Sequence, residues 1–148
     1  MTEKKDAPKP IGSYKHISPI QTRWRDNDVY GHVNNVVYYS FFDTAVNRFL
    51  IEGGVLNIHQ GAVIGLVVET NCRYYAPIEF PQNLRAALGV SHIGRSSVRY
   101  EIGLFSEDND APAAEGYFVH VYVDKQTRRP TSLPEEFKAL LETILIGA

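Results

Sequence analysis

The chain has 148 residues, 44% of them hydrophobic and 22% charged, with a formal net charge of -2. That length fits one domain with a real core, and the near-neutral balance weighs against a general nucleic-acid or membrane-surface binder. A single cysteine, Cys72, excludes an internal disulfide framework, and no apolar run approaches the roughly 18 residues that span a bilayer.

Met1 to Pro10 carries Lys4, Lys5, Lys9 and two prolines but no hydrophobic stretch of the secretory kind. Residues 1–12 are therefore expected to form a flexible tail, residues 13–148 one domain, and the protein is expected in the cytoplasm. Tyr14 to Trp24 predicts a first strand from Ile17, Ile20, Thr22 and Trp24, with Pro19 marking an edge or a bend. Asp26 to Val33 predicts a loop, in which Gly31 supplies backbone freedom. A helix is predicted from Asn34 or Asn35 to about Glu52. Val37, Tyr38, Phe41, Phe42, Ala45, Val46, Phe49 and Leu50 recur at three- and four-residue spacing, an apolar arc wide enough for deep burial. Asn is a good N-cap, and Gly53-Gly54 ends the helix.

Val55 to Gly61 is a linker. Strand patterns then follow at Ala62 to Tyr75, Leu84 to Ile93, Ser96 to Phe105 and Ala114 to Asp124, with a turn at Gly94-Arg95 and a polar turn at Glu107 to Pro112. In the last strand Tyr117, Val119, Val121 and Val123 share a face. Ser132 and Glu135 have capping-box spacing around Pro134 and predict a short C-terminal helix. One strand, a long buried helix and about four strands without intervening helices make an α+β protein, a mostly antiparallel sheet against one helix.

The stretch from Thr22 to Asn35 carries the chemistry. It sets Asp26, Asp28, His32, Asn34 and Asn35 around Gly31 at a helix start. Such a start offers unpaired N–H groups and a positive dipole end to developing negative charge. An acid or base beside it is a candidate catalytic site. Asp26-Asn-Asp28 with Gly31 faintly matches a calcium loop. That loop needs an oxygen ligand at Tyr30 and a glutamate at Val37, and both fail. His16, His59, His92 and His120 form no recognisable metal set, Cys72 reads as a small packed residue, and no glycine-rich phosphate cradle is present. Neither metal nor cofactor is expected.

Asp28-Val-Tyr-Gly-His-Val-Asn-Asn followed by an aromatic-rich helix resembles the hotdog-fold acyl-CoA thioesterases, in the 4-hydroxybenzoyl-CoA thioesterase-like and long-chain acyl-CoA thioesterase branch. Ile93-Gly-Arg-Ser-Ser and the run Val121 to Pro134 resemble the same branch, and the likeness covers roughly Ser13 to Leu145. The resemblance implies a sheet of about five antiparallel strands wrapped around the helix. It also implies a homodimer, or a dimer of dimers, with active sites at the subunit interface.

A thioesterase needs a carboxylate near the thioester carbon and N–H donors at its oxygen. By position Asp28 resembles the family's catalytic carboxylate, general base or nucleophile, and the family's oxyanion N–H maps to Asn35, seven residues later. A turn-stabilising role for Asp28 is the alternative. Asp26 reads as a structural partner for Arg23 or Arg25. His32 either orients Asp28, lines the pocket or is structural. Related acyl-ACP thioesterases carry Asp-x-Asn-x-His, and Tyr30 stands here at the middle position, leaving that arrangement incomplete. Asn34 caps the helix or binds substrate with Gly31. Arg95 and Ser96, in the hairpin turn, are candidates for the phosphates or pantetheine of CoA, or are an ordinary turn. Asp43 lies about 12 Å along the helix from Asn35 at about 1.5 Å per residue, and reads as structural. The expected activity is hydrolysis of an acyl-CoA, without nucleic-acid or membrane partners. An acyl-ACP thioesterase and a non-catalytic acyl-CoA-binding protein are the rivals.

Overall fold

A computed structural model describes residues 7–56 and 61–146 of the protein. Its elements are β1 (His16–Gln21), α1 (Asn35–Glu52), β2 (Val63–Tyr74), β3 (Asn83–Ile93), β4 (Ser97–Ser106), β5 (Ala114–Asp124) and α2 (Glu135–Glu142), with single 3-10 turns at Ile11–Ser13 and Trp24–Asp26. The strands form one sheet in the order β1-β3-β4-β5-β2, antiparallel at every pairing. This is the hotdog fold.

One face of the sheet packs on α1. Phe41, Phe42, Ala45, Val46, Phe49 and Leu50 of the helix are buried against Leu84, Leu88, Tyr100, Ile102, Leu104 and Phe118. At about 1.5–3 kcal/mol for each large apolar side chain fully removed from water, this interface dominates the stability. Gly116 permits the close approach, since a Cβ there would lie 2.8 Å from the Phe42 ring. The helix starts at Asn35 because the Asn34 side chain accepts the Val36 N–H at 3.1 Å, and it stops at Gly53, before Gly54 with φ +76°.

Three expectations need revision. The first strand is shorter than Tyr14 to Trp24, because Trp24–Asp26 turns out of the sheet as a 3-10 turn. The capping box at Ser132 does not form. Leu133 N–H donates to Arg95 O at 2.9 Å and holds the chain extended, so the N-cap moves two residues on, from Ser132 to Pro134, and the helix begins at Glu135. On β5, where Tyr117, Val119 and Val121 share one face, the opposite face, carrying Phe118, His120 and Tyr122, is the one buried against the helix. Of the expected tail, residues 7–12 lie on the outer face of the sheet, where the Lys9 N–H donates to Glu115 Oε2 at 3.0 Å. Residues 1–6, and 57–60 of the linker, lie outside the described residues.

The sheet has two distinct edges. Pro19 sits on β1, an edge strand as its missing N–H requires. The other edge, β2, is largely exposed along its length, including Leu66, Val67 and Val68. No helix among the described residues is long and apolar enough to cross a membrane.

Candidate active site

The loop from Arg23 to Asn34 is built to deliver the start of α1. Asp26, only 1% exposed, is its lock. Its Oδ2 accepts the Arg23 N–H at 2.7 Å and Nε–H at 3.3 Å, and its Oδ1 accepts Arg23 Nη2–H at 2.8 Å. With both oxygens engaged, Asp26 is a structural carboxylate. Its carbonyl accepts the Asn34 N–H at 2.9 Å and closes the neck of the loop. Asn27 anchors the loop to the rest of the fold by accepting the Phe80 N–H at 3.1 Å.

Inside that neck, Asp28 makes a tight turn. Its Oδ1 accepts the Tyr30 N–H at 2.8 Å, its carbonyl accepts the Gly31 N–H at 3.1 Å, and its own N–H donates to His32 O at 2.8 Å. Gly31 has φ +83°, a left-handed conformation that side chains resist. The Asp28 Oδ2 has no partner among the described residues, so the turn holds the carboxylate by one oxygen and leaves the other open. Tyr30 and Val29 are strongly exposed at the loop tip.

The helix start is the second half of the arrangement. The Asn34 cap occupies the Val36 N–H through its side chain and the Val37 N–H through its carbonyl. The Asn35 N–H, first in the helix, is left over from the cap. Asn35 lines a cleft of about 320 Å³ together with His32, Tyr38, Tyr74 and Tyr75. Tyr74 donates its hydroxyl proton to Asn35 O at 3.1 Å and meets the Tyr38 ring edge-on at 4.8 Å. Burial raises the Tyr74 and Tyr38 phenols above their ordinary value, Cys72 adding to the effect at both, so these walls stay neutral. Burial likewise pushes the Cys72 thiol up to about 11, which makes it a poor nucleophile at neutral pH.

The structure therefore places His32 and Asn35 on one cleft, with Asn34 serving as the cap; Asp28 and Gly31 are not among the described residues that line it and reach it through the Asp28 N–H bond to His32 O. Arg95 and Ser96 are elsewhere in the chain. Ser96 O accepts the Tyr122 N–H at 2.7 Å, and Tyr122 pairs with Gly65. Tyr74, beside Asn35, is nine residues further along β2, roughly 30 Å at about 3.3 Å per residue. Asp43 is exposed, and its Oδ1 accepts from Asn47 at 3.0 Å.

Sequence reasoning missed one polar cluster. His120 is buried beneath α1 with Tyr100 and Tyr122, whose hydroxyls share a 2.7 Å hydrogen bond. Its Nδ1 lies 3.3 Å from the Tyr122 hydroxyl, and its Nε2 has no partner among the described residues. Burial lowers its pKa to about 4, opposed only in part by Asp43. The signal was present as alternation of Phe118, His120 and Tyr122, masked by the more apolar-looking residues between them. Among the described residues, no group of three or more His, Cys, Asp or Glu side chains could hold a metal ion.

Residues 22–141 match the model of the thioesterase-like superfamily. The chain belongs to that superfamily. Its class of chemistry is thioester hydrolysis. Among solved structures, the PA5185 protein from Pseudomonas aeruginosa is 50% identical, with a TM-score of 0.92 over 94% of this chain and 97% of that one. A putative thioesterase from Pseudomonas aeruginosa, the PA2801 protein, is 27% identical, with a TM-score of 0.80 over 85% and 97% of the two chains. A 1,4-dihydroxy-2-naphthoyl-CoA thioesterase from Synechocystis shares the fold at 16% identity, with a TM-score of 0.78 over 84% and 93%.

Proposed function

We propose that the protein is an acyl-CoA thioesterase in which Asp28 is general base or nucleophile and the Asn35 N–H polarises the thioester carbonyl. The observation that carries this reading is the Asn35 N–H, unused by the cap, at the head of a helix whose first residue lines a cleft with His32, to whose carbonyl the Asp28 N–H is hydrogen-bonded. The thioester oxygen sits at the start of α1. As water or the Asp28 carboxylate attacks the carbon, negative charge grows on that oxygen. The N–H and the positive end of the helix dipole stabilise it without having to reorganise. Asp28 takes the proton from water, or forms an anhydride that water then cleaves, and CoA thiol leaves. The acyl-CoA substrate class is supported by the name of the Synechocystis relative.

The same reading makes the active form a homodimer. A long exposed edge carrying Leu66, Val67 and Val68 invites strand pairing. Two β2 edges paired antiparallel bring the Val63 end of one strand beside the Tyr74 end of the other. Arg95 of the partner subunit then approaches the Asn35 cleft that the chain's own Arg95 does not reach, in position for CoA phosphate.

Thiol release from short, medium, long-chain and aromatic acyl-CoAs tests the reading, each with the native protein and with Asp28→Asn. Asparagine keeps the acceptor for the Tyr30 N–H and removes the base. The expected result is turnover on one class of substrate that falls about 10²–10⁴-fold in the variant. Full turnover by Asp28→Asn overturns the role given to Asp28. Turnover on acyl-ACP alone moves the substrate to the protein carrier, and tight acyl-CoA binding without turnover identifies a binding protein.

A further inference from the structure

We infer that Tyr75 sets the length of acyl group the site accepts, by standing between the cleft at the start of α1 and a second, apolar cleft into which a longer chain would run. The inference rests on the thioester reading above.

Tyr75 lines both clefts. The first, about 320 Å³, holds Asn35 and His32. The second, about 470 Å³, is bounded by Pro8, Pro10, Asp110, Ala111 and Pro112. Tyr75 is anchored at its backbone and at its hydroxyl. The Tyr75 and Ala76 N–H groups both donate to Ala113 O, at 2.8 and 3.1 Å. The Tyr75 hydroxyl donates to Glu115 Oε1 at 3.1 Å, and the other oxygen of that buried carboxylate accepts the Lys9 N–H at 3.0 Å. Burial, with Glu115 beside it, raises the Tyr75 phenol, so the proton stays in place and the hydrogen bond persists.

The lining of the second cleft identifies its occupant as hydrocarbon. Pro8, Pro10 and Pro112 have no N–H to offer, and the Ala111 N–H is taken by Asn109 Oδ1 at 2.9 Å. The three prolines and Ala111 therefore offer the amides of a pantetheine arm no free N–H. Among the described residues that line it, the one charged side chain is the exposed Asp110 carboxylate, already paired with Arg85 at 3.1 Å, so the lining offers no cation to a phosphate. An acyl tail asks for neither donors nor cations.

The test is the ratio of kcat/KM for palmitoyl-CoA to that for butyryl-CoA, measured on the native protein, Tyr75→Ala, Tyr75→Phe and the double variant Tyr75→Ala with Ala111→Phe. Tyr75→Leu replaces Tyr75→Ala if the latter is unstable. In hydrophobic pockets one methylene already shifts discrimination tenfold or more, so the ratio is expected to rise at least about tenfold in Tyr75→Ala. It should keep its native value in Tyr75→Phe, which retains the ring, and return toward it in the double variant, which fills the second cleft. An unchanged ratio in Tyr75→Ala overturns the inference. So does a gain that survives in the double variant, or a Tyr75→Phe shift equal to that of Tyr75→Ala. If the native protein cleaves no acyl-CoA, the thioester reading itself fails. Calorimetry with free palmitate then decides on the cleft: tighter binding by Tyr75→Ala upholds it, and equal binding overturns it.

Discussion

Replacing Asn35 by proline removes one hydrogen-bond donor and almost nothing else. Proline inside a helix costs about 3 kcal/mol, because it deletes a bonded N–H and clashes with the preceding turn. At the first helical position neither penalty applies, since that N–H has no partner within the helix. The residue before a proline must be extended, and Asn34 already is, with φ -59° and ψ 135°. The cap survives too, because it uses the N–H groups of Val36 and Val37. Chemical unfolding of Asn35→Pro should therefore differ from the native protein by less than about 0.5 kcal/mol. If the Asn35 N–H faces the developing oxyanion, kcat should fall about 10²–10³-fold, the roughly 2.7–4 kcal/mol that one such donor contributes. Asn35→Ala changes the side chain and keeps the N–H. A folded Asn35→Pro with native kcat refutes the oxyanion assignment, and an equal loss in Asn35→Ala transfers the effect to the side chain.

Other consequences are as direct. Asp26→Ala leaves the Arg23 N–H without its acceptor and opens the neck of the loop. A loss of about 1–3 kcal/mol is expected in urea unfolding, together with a fall in kcat; unaltered stability would contradict the lock. His120 has a folded pKa of about 4 against an ordinary 6.5, so the unfolded chain binds the proton more readily. Stability is then complete above pH 6.5 and declines as pH falls toward 4, by about 3 kcal/mol at 1.36 kcal/mol per pH unit. His120→Phe should flatten that slope between pH 6.5 and 4, and an unchanged slope would assign it elsewhere. Val68→Lys places a charge on the exposed β2 edge, and sedimentation should show weakened self-association with the monomer still folded. Association at native strength would place the interface on another surface.

Much of the site was legible before any coordinates. Asn34 as cap, Asn35 as first helical residue and Gly53-Gly54 as the end follow from local chemistry, since a cap is a contact between residues two or three apart. The periodicity from Tyr38 to Leu50 announced a buried helix, because only burial explains so wide an apolar arc. Asp26 and Asp28 could be told apart as candidates, but their roles separated only in space. Asp26 is enclosed by Arg23 and consumed by it, whereas Asp28 keeps one oxygen open. Tertiary structure alone decided which face of β5 packs on α1, because His120 and Tyr122 look polar in sequence and find partners in each other and in Tyr100 only once the sheet has formed. It alone moved the Arg95–Ser96 hairpin to the far end of the sheet from Asn35, a consequence of strand direction rather than residue type. And it alone set Tyr75, Pro8, Pro10 and Pro112 around one cleft, because such a cleft exists only once distant segments have packed together.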